Sequence, residues 1–262
     1  MSETTNGKPK VAFFDFACCE GCQLTVVDSL QTHLDLLDAV EIVQFREAMT
    51  EKGEDYQIAF IEGSCTRKSD EERLFKIREQ AAIVVALGAC AHLGGVNALK
   101  NLHPLNDVRK WVYGDKADWY ETYKARPIGE VIDVDAVIPG CPIDREEFVR
   151  VVKAVLMGKS LPIPDYPVCV ECKLKENVCL LLEGKPCLGP VARAGCDAIC
   201  PTYGDGCEGC RGLIPNPNEN AMNDVLAEAK LTVEEIMSRF TMFNAYQMQE
   251  REREAQVAEE RK

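Results

Sequence analysis

The chain has 262 residues, of which 46% are hydrophobic and 28% charged, a composition that indicates a soluble globular protein. Its length allows one large domain, or one domain of ordinary size with a smaller module. No stretch of apolar residues approaches the roughly 18 that a transmembrane helix needs. Thirty basic against 43 acidic residues give a net charge of −13, so we expect neither nucleic acid nor a membrane as a partner.

Short apolar runs alternate with helical patterns through the first 160 residues. Strands are predicted over 11–16, 41–45, 57–61, 82–87 and 134–139, and helices over 23–37, 70–80 and 144–157. This alternation is typical of a parallel sheet that is covered on both faces. We therefore predict an α/β fold with a flavodoxin-like, doubly wound parallel sheet.

Three prolines between positions 161 and 167 interrupt this pattern and predict a linker. The predicted organisation is a flavodoxin-like domain over 1–160, a cysteine-rich and mostly irregular domain over 161–246, and a tail over 247–262. Because the tail is highly charged, we expect it to be a helix or a disordered end without chemistry.

The chain contains fourteen cysteines. Its first residues lack the apolar stretch of a secretory signal, so we expect a cytoplasmic location in which the thiols stay reduced. In a reducing compartment, so many cysteines indicate metal or redox chemistry rather than a disulfide scaffold.

Six cysteines lie near the carboxyl end of a predicted strand: Cys18, Cys19, Cys22, Cys65, Cys90 and Cys141. Open α/β sheets build their ligand sites at this edge. Any one of these cysteines alone is better explained as a small buried hydrophobe. Their recurrence at four strand ends favours a shared ligand, and four thiolates from distant loops fit a 4Fe-4S cluster better than zinc.

The other eight cysteines crowd into one segment of the second domain: Cys169, Cys172, Cys179, Cys187, Cys196, Cys200, Cys207 and Cys210. The segment has few periodic apolar residues, so we expect it to fold around metal. Eight thiolates make two sites of four. Their spacing is compatible with two iron-sulfur clusters and also with two zinc ions.

Three carboxylates lie beside the strand-end cysteines: Asp15, Glu20 and Glu62. They are candidates for proton relay. A carboxylate at the end of a strand is, however, more often the cap of a helix.

Six motifs occur in order along the chain: CEGCQ at 19–23, GACA at 88–91, PGCP at 139–142, CLGP at 187–190, RAGC at 193–196 and CEGCRG at 207–212. With these motifs the chain resembles, over nearly its whole length, the small (delta) subunits of cytoplasmic nickel-iron hydrogenases such as the sulfhydrogenases. It is more distantly similar to the iron-sulfur connecting subunit of complex I.

The resemblance implies three 4Fe-4S clusters, each bound by four cysteines. The proximal ligands, here called the sheet-edge thiols, are Cys19, Cys22, Cys90 and Cys141. The distal ligands, here called the first-segment thiols, are Cys169, Cys172, Cys179 and Cys187. The medial ligands, here called the second-segment thiols, are Cys196, Cys200, Cys207 and Cys210. Cys18 and Cys65 are extra, and either is an alternative ligand or a redox-tuning neighbour.

The implied function is electron transfer between a nickel-iron centre on a hydrogenase large subunit and flavin or iron-sulfur acceptor subunits. The acceptors are NAD(P)-linked, ferredoxin-linked or heterodisulfide-reductase-like. The medial cluster is expected in the middle and the distal cluster at the exit, where an acidic surface would favour a basic partner. No catalytic residue is expected on this chain, and the isolated chain should bind no nickel and have no hydrogenase activity.

Two alternatives stay open. The first is a quinone-reductase connecting subunit of the complex I type, which is disfavoured because that relative ends without an eight-cysteine segment. The second is an adaptor that is stabilised by zinc.

Overall fold

The computed structural model describes residues 7–228 and 231–260. Residues 1–6, 229–230 and 261–262, which include the start of the predicted first domain and the end of the predicted tail, lie outside this description. The N-terminal part contains a parallel sheet of spatial order β2-β1-β3-β4-β5. Its strands are β1 (Lys10–Asp15), β2 (Glu41–Phe45), β3 (Ile58–Glu62), β4 (Ile83–Leu87) and β5 (Ala136–Ile138). This is the strand order of flavodoxin-like domains, so the predicted α/β fold is confirmed.

The sheet separates two apolar cores, because successive residues of a strand point to opposite faces. On one face the ring of Phe13 stacks on those of Phe45 and Phe60, with centroids 4.3 and 4.9 Å apart. On the other face Phe14 meets the edge of Tyr56 at 5.3 Å. β3 is buried along its whole length, as expected for a central strand that is covered on both sides.

Helices cover the sheet and form much of the C-terminal part. They are α1 (Gly21–Thr32), α2 (Leu34–Ala39), α3 (Lys68–Gln80), α4 (Gly88–Leu93), α5 (Leu105–Tyr113), α6 (Arg145–Leu156), α7 (Val168–Leu174), α8 (Ile199–Thr202), α9 (Glu219–Glu228) and α10 (Val233–Glu260). Within the described ranges, no helix combines the length and hydropathy of a membrane span.

The three predicted helices are present with altered ends. The predicted helix over 23–37 is divided at His33 into α1 and α2. α6 begins directly after Asp144, whose side chain accepts a hydrogen bond from the backbone N–H of Glu147 at 2.8 Å. Asp144 is therefore the N-cap that fixes the start of α6.

The region between β4 and β5 is more helical than the sequence predicted. After α4 come a 3-10 helix over Gly95–Leu102, then α5, then a second 3-10 helix over Gly114–Trp119. No residue of α5 is buried, and the side chains of Trp111 and Trp119 are 69% and 74% exposed. This region therefore presents aromatic side chains to solvent.

The cysteine-rich part has a small apolar core, although the sequence predicted little to bury there besides metal. Val168 and Leu188 pack with Met222 of α9 and Phe240 of α10. Both helices follow the cysteines in the chain, so the core is completed from outside the cysteine-rich segment. α10 has one non-helical residue, Asn244, and it continues past position 246, the predicted end of the cysteine-rich domain, into the predicted tail.

The proline-rich linker is packed on both sides. Leu161 and Ile163 contact the core of the sheet. Nη1 of Arg193 donates a hydrogen bond to the carbonyl oxygen of Pro164 at 2.7 Å. The linker therefore contacts the sheet domain and also the cysteine-rich part.

Candidate metal centres

The sheet-edge thiols follow strand ends near the point where the strand order reverses. β1 lies between β2 and β3, so connections from neighbouring strands leave in opposite directions and open a crevice at the carboxyl edge. Cys19 and Cys22 follow β1, Cys90 lies in α4 directly after β4, and Cys141 follows β5.

Burial and neighbouring negative charges raise the pKa values of Cys22, Cys90 and Cys141. Burial raises the pKa of Cys90 to about 12, and the charges of Cys141 and Cys19 contribute to the shift. The pKa of Cys22 is raised first by burial and then by the charge of Glu62. A bound cation would compensate these charges and stabilise the thiolates. Cys19 and Cys141 are exposed, so the set opens to the surface of the chain.

Glu62 connects the end of β3 to the start of α1. It is 2% exposed, and its two oxygens accept hydrogen bonds from the backbone N–H groups of Cys22 at 3.1 Å and Gln23 at 3.0 Å. Glu20, which precedes α1, provides no side-chain cap. Glu62 is therefore the cap of α1, supplied by a neighbouring strand. Burial raises the pKa of Glu62, and the two N–H donors oppose this shift.

Two glycines allow close packing around these thiols. Gly88 has a φ of +81°, and a Cβ there would overlap the Sγ of Cys22. Gly140 has a φ of +138°, and a Cβ there would lie 2.6 Å from the carbonyl oxygen of Pro142. Both conformations are open to glycine and strained for other residues. The glycines of the GACA and PGCP motifs are thus required because a side chain at either position would clash with its neighbours.

The structure separates the two extra cysteines. Cys18 lies beside the sheet-edge thiols, since its charge contributes to the raised pKa of Cys90. Cys65 is buried in the core on the other face of the sheet, where its Sγ lies 3.3 Å from the hydroxyl oxygen of Tyr123. This position argues against a ligand role for Cys65.

The second-segment thiols all line one cavity of about 340 Å³, here called the second-segment cavity: Cys196, Cys200, Cys207 and Cys210. A water molecule in the liquid occupies about 30 Å³, so the space suits a group of several atoms. Apolar side chains, including Val168, Ile199 and Phe243, form much of its wall. Thiols in such surroundings are ligands for iron-sulfur clusters and for zinc.

Two of the first-segment thiols, Cys169 and Cys187, flank Gly189, and the other two lie within electrostatic reach of Cys169. A Cβ on Gly189 would lie 3.3 Å from the Sγ atoms of both Cys169 and Cys187. Burial raises the pKa of Cys169 to about 11, with contributions from the charges of Cys187, Cys172 and Cys179. Cys179 is exposed, so this set also reaches the surface.

Exposed apolar side chains flank the first segment. Leu174, Leu182 and Tyr203 are 79%, 87% and 81% exposed. Between positions 169 and 187, three lysines balance three glutamates. Exposed apolar and charged side chains thus share this surface, and its own segment has no net charge, whereas an acidic surface was expected.

The three thiol sets adjoin one another in space. Cys141 of the sheet edge lines the second-segment cavity together with the four second-segment thiols, so these thiols adjoin the sheet edge. The backbone N–H of Cys207 donates a hydrogen bond to the Sγ of Cys187 at 3.2 Å, so they also adjoin the first-segment thiols. The second-segment thiols thus lie between the other two sets.

All fourteen cysteines are free thiols. Within residues 7–228 and 231–260, no three His, Cys, Asp or Glu side chains come together closely enough to hold a single metal ion.

A buried ion pair that the sequence analysis did not single out joins the two parts of the chain. Arg211 is 2% exposed and Glu147 0% exposed, with 2.7 Å between Nη2 and Oε1. Two signals in the sequence point to this pair. They are the arginine directly after the CEGC motif and an acidic residue on the buried face of α6.

The architecture places the chain in the class of nickel-iron hydrogenase subunits. A chain in the crystal structure of a NAD+-reducing [NiFe]-hydrogenase in the H2-reduced state matches with a TM-score of 0.53 and 27% identity, over 60% of this chain and 96% of its own length. Sulfhydrogenase 2 subunit delta of Pyrococcus furiosus is 37% identical over 89% of this chain and 98% of its own length. A subunit of the F420-non-reducing hydrogenase vhu of Methanococcus voltae is 32% identical over 78% of this chain and 82% of its own.

The sequence model of the family NADH ubiquinone oxidoreductase, 20 Kd subunit, matches residues 19–155. The chain belongs to this family, as a subunit of the nickel-iron hydrogenase type. The resemblance drawn from the motifs is thereby confirmed.

Proposed function

We propose that this chain is the electron-transferring small subunit of a nickel-iron hydrogenase. It connects the nickel-iron centre of a large subunit, where H2 = 2 H+ + 2 e−, with a flavin or iron-sulfur acceptor subunit. The observation that carries the proposal is the succession of three adjoining sets of four thiols, which ends at the surface with Cys179.

One 4Fe-4S cluster is assigned to each set. The sheet-edge thiols hold the proximal cluster, the second-segment thiols the medial cluster and the first-segment thiols the distal cluster. Such clusters accept and release single electrons when they are bound. The donor set supports the assignment, because closely spaced and partly buried thiols become thiolates most readily around a cationic core.

The surrounding residues hold the ligands in place and exclude water. Glu62 fixes the start of α1 and with it the backbone of Cys22. Gly88 lets the turn after β4 approach the same cysteine. Val168 and Phe243 wall the second-segment cavity with apolar groups, which lowers the local dielectric around any bound group.

The two exposed ends of the thiol succession are assigned to two partners. The large subunit docks over Cys19 and Cys141, and the acceptor subunit docks beside Cys179. The acceptor is NAD(P)-linked, ferredoxin-linked or heterodisulfide-reductase-like. A cytoplasmic location is proposed because all fourteen cysteines are free thiols.

The test is metal and sulfide analysis of the anaerobically purified chain, together with its visible absorbance. We expect about twelve irons and twelve acid-labile sulfides per chain, as three 4Fe-4S clusters require, and no stoichiometric nickel. Two zinc ions without sulfide would support the zinc-stabilised adaptor instead. About four irons, lost on substitution of sheet-edge thiols alone, would support the complex I type.

A further inference from the structure

Arg211 lies fully inside the molecule, between the sheet domain and the cysteine-rich part. Its Nη2 donates hydrogen bonds to both carboxylate oxygens of Glu147, at 2.7 and 2.8 Å. Both side chains are almost completely shielded from water. A buried ion pair is unfavourable unless its remaining donors also find partners.

The remaining donors of Arg211 reach the turns that carry two of the thiol sets. Nη1 donates to the carbonyl oxygen of Pro139 at 2.7 Å, two residues before Cys141. Nε donates to the carbonyl oxygen of Ala194 at 2.7 Å, two residues before Cys196. One rigid, planar group therefore ties α6 to a turn of the sheet edge and to a turn of the second segment.

The space around the ion pair is shaped for the guanidinium. Gly195 has a φ of +114°, and a Cβ there would overlap Nη2 of Arg211 and lie 2.6 Å from Oε1 of Glu147. Arg211 lines the second-segment cavity, whereas Glu147 is not among its lining residues. The positive group is thus on the side of the thiols, with the carboxylate behind it.

We propose that Arg211 is a positioning residue that holds the turns of Cys141 and Cys196 together and places a fixed positive charge on the wall of the second-segment cavity. The inference rests on the proposed function, because it concerns the cluster assigned to that cavity. A positive charge beside a cluster stabilises the reduced state, which carries one more negative charge.

The test is an EPR-monitored redox titration of the assembled hydrogenase with three variants of the pair. Arg211→Met removes the positive charge, and we expect the ratio of reduced to oxidised medial cluster at a fixed applied potential to fall at least about fivefold. Glu147→Gln keeps the shape and removes the negative charge, so the ratio should rise. Arg211→Lys keeps the charge but not the planar set of hydrogen bonds, so the potential should stay near that of the parent protein.

The positioning role has its own readout in the same titration. In Arg211→Lys, we expect the magnetic interaction between the reduced proximal and medial clusters to change, because the two turns lose their common donor. The matched control is Arg145→Met, also on α6, whose partner Asp28 lies on the surface. It should change neither the potential nor the interaction.

The outcomes separate the inference from the proposed function. Unchanged potentials in Arg211→Met and Glu147→Gln, or shifts of the same sign in both, would overturn the inference while the clusters remain. If Arg211→Met does not fold, Glu147→Gln still tests the effect of the charge on the cluster potential. Arg211→Lys still tests whether Arg211 positions the two turns. A parent protein without iron and sulfide would instead overturn the proposed function.

Discussion

Cys65 and Cys90 each follow a central strand, yet their side chains have different surroundings. The thiol of Cys90 lies among the sheet-edge thiols, whose charges raise its pKa. The thiol of Cys65 lies in the opposite core beside Tyr123. The sequence places both cysteines near a strand end. The side of the sheet to which each side chain points depends, however, on the local path of the turn, which neither spacing nor composition specifies.

This difference predicts the iron content of two matched variants. Cys90→Ser removes one proposed cluster ligand and should lower the iron per chain by about one third. Cys65→Ser replaces a buried thiol that faces away from the set, so the iron content should stay that of the parent chain. Iron and acid-labile sulfide, measured on both proteins after identical anaerobic purification, check the prediction. Equal iron loss in the two variants would contradict the separation of these cysteines.

The strands could be predicted from their apolar runs, whereas several helices and the core of the cysteine-rich part were not. The predicted strand over 41–45 has the observed bounds of β2, and the other predicted strands overlap β1, β3, β4 and β5. α5 and the 3-10 helices beside it were not predicted, although Leu105, Val108 and Val112 of α5 recur at helical spacing and carry a helical signal. The core of the cysteine-rich part was missed because α9 and α10, far along the chain, supply Met222 and Phe240.

This arrangement of elements predicts an uneven response to iron removal. Chelation under reducing conditions should expose the backbone from 168 to 210, since the metal–thiolate bonds that cross-link the segment are lost and the small apolar core alone must hold it. The amides of β1, β3 and β4 should stay protected, because two apolar cores cover these strands. Hydrogen exchange of the loaded and stripped proteins, followed by mass spectrometry, measures both regions at once. Equal protection of the segment with and without iron would show that metal does not determine its folding.

At the scale of the molecule, the thiol sets form a succession with two exposed ends. One end is at the sheet edge with Cys19 and Cys141, and the other is Cys179 among exposed apolar side chains. The family motifs allowed the cysteines to be assigned to sets from the sequence. They did not allow the contacts between the sets to be predicted. Cys207 and Cys187 are brought together by chain folding that no local pattern encodes.

The succession predicts different acceptor profiles for two cysteine variants of the assembled enzyme. Cys141→Ser disrupts the set that we propose to lie nearest the large subunit, so hydrogen oxidation should be lost with every acceptor. Cys169→Ser disrupts the outermost set, so transfer to the physiological acceptor should fall more than transfer to a small dye, which can collect electrons from an earlier cluster. Parallel assays of each variant with the physiological acceptor and with the dye give the ratio of the two activities. The same profile in both variants would leave the proposed order without support.

The exposed aromatic region between β4 and β5 determines the ultraviolet emission of this protein. The chain contains two tryptophans, and both indole rings, Trp111 and Trp119, stand largely in water on this one region. The intrinsic fluorescence of the isolated chain therefore reports on α5 and the 3-10 helix after it, and not on the sheet or the thiol sets. A subunit that covers this region shifts the emission to shorter wavelength, whereas one that binds elsewhere leaves its wavelength unchanged.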